Sequence, residues 1–105
     1  MKTKFASEPN GGRRLVFWCP GCDEPHMPPI EGSNPWTWNG SRDLPTLSPS
    51  ILVTDHAGSR CHSFLRDGRL EFLNDCTHKL AGQTVDLPDW PYEADAYGGL
   101  DKEQA

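Results

Sequence analysis

The stretch Cys61-His62-Ser63-Phe64-Leu65-Arg66-Asp67-Gly68-Arg69-Leu70-Glu71-Phe72-Leu73 decides the fold. Apolar and polar residues alternate on both sides of Asp67-Gly68, a dipeptide that tolerates the left-handed backbone of a tight hairpin turn. Centring the turn there sets Leu65 opposite Leu70, Ser63 opposite Phe72 and Cys61 opposite Asn74, all on one face. That face is the apolar one, so Cys61 points inward. His62 then shares the outer face with Phe64, Leu73 and Asp75, and the same parity carried onward puts Cys76 and His78 on the side of Cys61.

On either side of this hairpin, the chain reads as short strands separated by turns. Ile51-Leu52-Val53-Thr54 is a β-branched run behind an extended, proline-bearing segment from Pro45 to Ser50. Trp36-Thr37-Trp38 is a strand closed by an Asn39-Gly40 turn. Leu15 to Trp18 leads into Cys19, and Val85 to Leu87 supplies a last strand. Helix is confined to a turn or two between Cys76 and Gly82. The expected fold is therefore mainly β, a small α+β domain at most: a zinc-stapled antiparallel sheet with hairpins and little helix. Residues 1–13, polar and without periodicity, are expected to form a flexible N-terminal arm, or a short strand with its turn. Residues 14–92 form the zinc-binding β domain, and the acidic segment 93–105 is expected to be disordered or loosely attached.

Composition is the first pointer to zinc. A chain of 105 residues with 35% hydrophobic content, ten Gly and ten Pro makes one domain with a thin core. Such domains recruit a staple, and four cysteines offer either disulfides or a metal site. The opening MKTKFASEPNGGRRLVFW holds basic residues but no apolar stretch of about seven or more, and no run of about eighteen apolar residues occurs anywhere. A cytoplasmic protein without a membrane span is expected, and in a reducing compartment cysteines more often bind metal than form disulfides. The net charge of −5 and the scattered bases exclude a nucleic-acid partner.

Cys19-Pro20-Gly21-Cys22 can place two thiolates on one ion. Proline pre-sets the bend, and glycine admits a positive φ that lets the chain curl around the metal. A redox pair needs the motif to open a helix, which Pro25, Pro28 and Pro29 forbid. The second pair of ligands comes from Cys61, His62, Cys76 and His78. The four-thiolate set Cys19, Cys22, Cys61 and Cys76 is the first choice, with His78 the main substitute for Cys76. His26 and His56, in loops beside Pro or Gly, read as solvated surface histidines.

With zinc held by cysteines, Ser48, Ser50, His62, Asp75 and His78 have no structural role. Ser50 as nucleophile, His62 as base and Asp75, or else His78, as orienter meet the residue types of a catalytic triad. The plain alternative is that the serines and Asp75 shape turns while His62 makes a buried hydrogen bond. A metallohydrolase would need an open zinc position and a nearby carboxylate base. Trp18, Trp36, Trp38 and Trp90 serve packing or, gathered at one end, an aromatic cleft for a peptide.

The ordered series Cys-Pro-Gly-Cys, Trp38-Asn39-Gly40, Pro45-Thr46-Leu47-Ser48-Pro49-Ser50, Cys61-His62, Asp67-Gly68 and Asp75-Cys76-Thr77-His78 running into Ala81-Gly82 resembles a family of small phage and bacterial proteins. The family is called BubE where it occurs in bacterial ubiquitin-like operons. The resemblance spans roughly residues 15 to 90 and implies a metal-binding domain. In the ubiquitin-like context it implies a peptidase that processes or removes the ubiquitin-like tail, with Ser50 and His62 carrying the chemistry and Asp75 or His78 behind them. Two readings follow. The chain is a zinc-stapled binding module directed at a host protein or another protein or peptide partner, or it is a zinc-stapled serine peptidase-like hydrolase. The first expects scattered Ser and His, the second a serine hydroxyl facing an imidazole.

Overall fold

Asp67 and Gly68 both take positive φ, 50° and 77°, and the hairpin closes around them in the register that alternation dictates. Leu65 pairs with Leu70 and Ser63 with Phe72. The structure, a computed structural model, describes residues 2–9 and 11–91. It contains β1 (Thr3–Ser7), β2 (Arg13–Cys19), β3 (Glu24–His26), β4 (Thr37–Trp38), β5 (Leu47–Thr54), β6 (Arg60–Arg66), β7 (Arg69–Phe72) and β8 (Thr84–Asp86). They form two antiparallel sheets, β1-β2-β3 and β4-β5-β6-β7-β8.

The described residues contain no helix, so none is long and apolar enough to cross a membrane. Between Cys76 and Gly82 the chain makes turns instead. Thr77 bonds Arg60 through its amide and its hydroxyl, and the Leu80 amide donates to His78 Nδ1. Side-chain and cross-strand partners of this kind compete with helical bonding. Gly82, at φ 78°, ends the turns and donates to the Phe72 carbonyl.

The N-terminal segment is not a free arm where it is described. Thr3–Ser7 pairs with Phe17–Arg13 along its whole length, and Arg13 and Arg42 both lay guanidinium groups over the Phe5 ring. The cations satisfy the ring faces and let a polar-looking strand hold its place. Residues 93–105, expected as a loose acidic tail, lie outside the described residues.

Inward positions of both sheets share one core: Leu15, Phe17 and Cys19 from β2 meet Ile51, Leu65, Leu70 and Phe72 from the larger sheet. Among the described residues this core holds eleven buried side chains, three of them cysteines. So small an apolar set is one that a cross-link would reinforce. The tryptophans are dispersed. Trp18 packs edge-on against Trp90, Trp38 against Phe5, and Trp36 donates from Nε1 to the Pro49 carbonyl at 3.1 Å. The register of β5 on β6 slips between Leu47 and Ile51. A bulge of this kind re-aims side chains, and Ser50 lies within it.

Candidate active site and metal-binding group

The β2–β3 hairpin carries both cysteines of the C-x-x-C motif, with Cys19 paired to Glu24 and the Asp23 amide bonded back to the Cys19 carbonyl at 2.8 Å. The left-handed residue of this loop is Asp23, φ 59°, not Gly21. Gly21 instead leaves room for a neighbour, since a Cβ there would lie 2.3–2.6 Å from the His78 ring. Only glycine lets the imidazole reach the knuckle.

Cys19, Cys22, Cys61 and His78 thereby come together, each offering one ligand atom within 4.8 Å of all the others. Cys19 Sγ and Cys61 Sγ are 3.8 Å apart, and His78 Nε2 is 3.4 Å from Cys61 Sγ. All four cysteines are free. Tetrahedral metal–sulfur bonds of about 2.3 Å and metal–nitrogen bonds of about 2.0–2.1 Å give edges of about 3.8 and 3.6 Å. The spacing therefore suits a four-coordinate ion, and this group could hold one. The electrostatics agree. The Cys61 hydrogen bond holds the Cys19 thiol down to about 4. Burial and the Cys19 charge push Cys22 up to about 12, and the Cys19 hydrogen bond and burial push Cys61 up as well. One thiolate is accommodated, and further ones need a cation beside them.

Cys76 is not in this group. Its Sγ lies 3.2 Å from the His62 nitrogen and 3.2 Å from the His62 oxygen. Strand parity loses its meaning after Phe72, where β7 ends and the turns begin, so the alternation that would have paired Cys76 with Cys61 does not carry that far. His26, expected as a surface histidine, is 4% exposed. It pairs with Phe17 in β3 and sets its ring edge-on to Phe17, and it helps to lower the Cys19 thiol. His56 is exposed.

On the outer face of the larger sheet, Ser50, His62 and Asp75 form a chain of contacts. Ser50 Oγ is 3.1 Å from His62 Nε2, and His62 Nδ1 is 3.1 Å from Asp75 Oδ2. The Asp75 carboxyl lies below its ordinary value. Desolvation is the largest single effect and raises it, but the hydrogen bonds from His62 and Arg60, with the electrostatic attraction of His62, together outweigh that. An ionised carboxylate only accepts, so His62 Nδ1–H donates to Asp75 and Nε2 is left to accept the Ser50 hydroxyl. Three elements supply the residues: the β5 bulge, the middle of β6, and the turn after β7. Two further contacts carry no signal in the sequence. Arg60 Nη1 reaches Asp75 Oδ2 at 3.4 Å, and Trp36 Nε1 reaches the Ser50 carbonyl at 3.4 Å. Ser48 is exposed.

These features define a small all-β domain in which a Cys3His group and a Ser–His–Asp constellation sit on adjoining stretches of chain. A family model described as bacterial ubiquitination-like system serine protease (BubE) matches residues 1–73, a span that includes Ser50 and His62. The chain belongs to this BubE family. No curated protein and no solved structure matches it.

Proposed function

We propose that the chain is a zinc-stabilised serine peptidase that cleaves a protein tail within a bacterial ubiquitination-like system. The observation that carries this reading is the 3.1 Å contact between Ser50 Oγ and His62 Nε2, backed by Asp75 on the far side of the imidazole. The same contact favours a hydrolase over a zinc-stapled binding module, for which no mutual bond between Ser and His is expected.

In this mechanism His62 Nε2 takes the Ser50 hydroxyl proton as Oγ attacks the substrate carbonyl carbon. The tetrahedral adduct collapses, the carbon–nitrogen bond breaks, and His62 passes the proton to the departing amine. Water then repeats the sequence on the acyl-serine, releasing the acid and restoring Ser50. Asp75 keeps Nδ1 protonated and the ring oriented, and it stabilises the imidazolium that forms in between.

Cys19, Cys22, Cys61 and His78 would hold zinc, with thiolate and imidazole donors of the type and spacing that ion prefers. Four protein donors make a closed site, which argues for a structural role and against a metallohydrolase. Held there, the ion would fix the β2–β3 hairpin against β6 and the turn at His78. Reduced, metal-binding cysteines suit the cytoplasm, of the host where the gene is phage-borne, and the partner is a protein or peptide rather than nucleic acid.

The test is to incubate the zinc-loaded protein with the ubiquitin-like protein of such a system bearing a C-terminal extension. Cleavage that disappears in Ser50→Ala is expected. A stable complex with no cleavage would restore the binding-module reading.

A further inference from the structure

The backbone of β5 has one side without a neighbour next to Ser50. β4 covers only Leu47 and Ser48, so Ile51–Thr54 is paired on the β6 side alone. The His62 amide donates to Cys76 Sγ, and its carbonyl accepts from Leu73. The Arg60 amide and carbonyl are likewise engaged by Thr77. Both residues therefore turn their main-chain groups away from β5. In an antiparallel pair whose one member faces away, the other faces away too. Leu52 and Thr54, opposite His62 and Arg60, thus direct N–H and C=O outward, where they meet no partner among the described residues.

A groove of about 300 Å³ runs along this edge, between Ile51–Val53 on one wall and Pro25–Pro29 with Trp36 on the other. The far wall offers a strand few backbone groups. Pro25, Pro28 and Pro29 have no N–H to give. The Met27, Pro28 and Pro29 carbonyls are already taken by Arg14 Nη1 and by the Leu15 and Trp36 amides. Of the two walls, β5 offers the more continuous open ladder, at Leu52 and Thr54. Trp36, which also lines the groove, bonds the Ser50 carbonyl through Nε1, and Leu52, 55% exposed, stands directly across from His62.

We infer that the outward edge of β5 at Leu52 and Thr54 is the seat of the substrate, which adds to the sheet as an extended strand and so carries its scissile carbonyl past Ser50. The inference rests on the peptidase reading and deepens it. Leu52 is two residues from Ser50, about 7 Å along the strand, so the substrate is gripped about two positions from the cleaved bond, with an apolar side chain against Leu52. The substrate class follows from the geometry: a chain segment free of its own secondary structure, such as an unfolded tail, because its backbone groups must be available to the edge.

The experiment is residue-resolved amide hydrogen exchange on zinc-loaded Ser50→Ala protein, with and without saturating unfolded casein as an extended-chain probe. Leu52 and Thr54 amides should exchange freely alone and slow roughly 10-fold or more with the probe, while Ile51 and Val53, bonded to β6, stay as they were. A Leu52→Pro variant removes both the outward N–H and the Leu52 side chain that meets the substrate, and in an otherwise wild-type chain it should raise the KM for casein at least 10-fold with little change in kcat. Bound probe without protection at Leu52 and Thr54 overturns the inference, as does protection already present in the free chain, which would mean that a second copy fills the edge. Either result with Ser50-dependent cleavage intact leaves the peptidase reading standing, whereas a wild-type chain that cleaves nothing removes both.

Discussion

Cys76 Sγ is 3.2 Å from both the amide nitrogen and the carbonyl oxygen of His62, accepting from the first and donating to the second. The cysteine outside the Cys3His group therefore clips the turn that carries Asp75 to the strand that carries His62. Thr77 makes the same connection one residue on, through Arg60. Cys61 and His78, on the same two segments, belong to the group that could hold a metal ion. Fold reinforcement and the proposed chemistry thus share their supports.

Replacing Cys76 by Ala should leave metal content at one ion per chain but let Asp75 drift from His62. Small misplacements of this kind lower rates by roughly 10- to 100-fold. Metal analysis beside peptidase kinetics checks this, and loss of the metal would instead return Cys76 to the ligand set.

Gly21→Ala tests the cradle for His78. Its backbone needs no left-handed conformation, so the penalty is the clash of the new Cβ with the His78 ring at 2.3–2.6 Å. Metal affinity should fall by roughly 10- to 100-fold, read by competition with a chromophoric chelator. An unchanged affinity would show that His78 is dispensable.

Asp75 supplies the pH dependence. Its carboxyl is lowered from 3.8, so it binds its proton more weakly in the folded chain than in the unfolded one. Its contribution is complete above 3.8 and is lost as pH falls through the lower folded value. Carboxyl NMR titration should find a midpoint below 3.8 that moves back upward in His62→Ala. A midpoint insensitive to that change would separate the two residues in solution.

The hairpin is legible in the sequence because alternation and Asp67-Gly68 agree, and parity along β6 puts His62 on the outer face; Asp75 reaches it there at 3.1 Å from the turn after β7. Strand parity does not extend beyond Phe72, into turns whose geometry is set by contacts to Arg60 and His62 rather than by a pleat. His78, not Cys76, joins Cys19, Cys22 and Cys61 for that reason. His26 looks exposed in a proline-flanked segment, whereas pairing with Phe17 turns its ring inward. For Thr3–Ser7 the polar residues leave arm and short strand both open; pairing with β2 and two guanidinium groups over the Phe5 ring decide for the strand. Ser50 can be named as a type, but its aim depends on a bulge that leaves no mark in composition.

Gly68→Ala should destabilise the fold by about 1–3 kcal/mol. The residue sits at φ 77°, and a Cβ would lie 3.0 Å from Leu44 Cδ2 and 3.2 Å from the Asp43 carbonyl oxygen. Thermal unfolding of the metal-loaded protein reads the change, and an unaltered midpoint would contradict the tight turn.

All of the proposed chemistry requires that His62 make Ser50 nucleophilic. Labelling the metal-loaded protein with a fluorophosphonate, followed by peptide mass spectrometry, reads this at the residue itself. A single adduct on Ser50 is expected, absent in His62→Ala and slowed in Asp75→Asn. A folded, metal-bound protein that takes up no label at Ser50, or takes it up equally without His62, would refute the pairing.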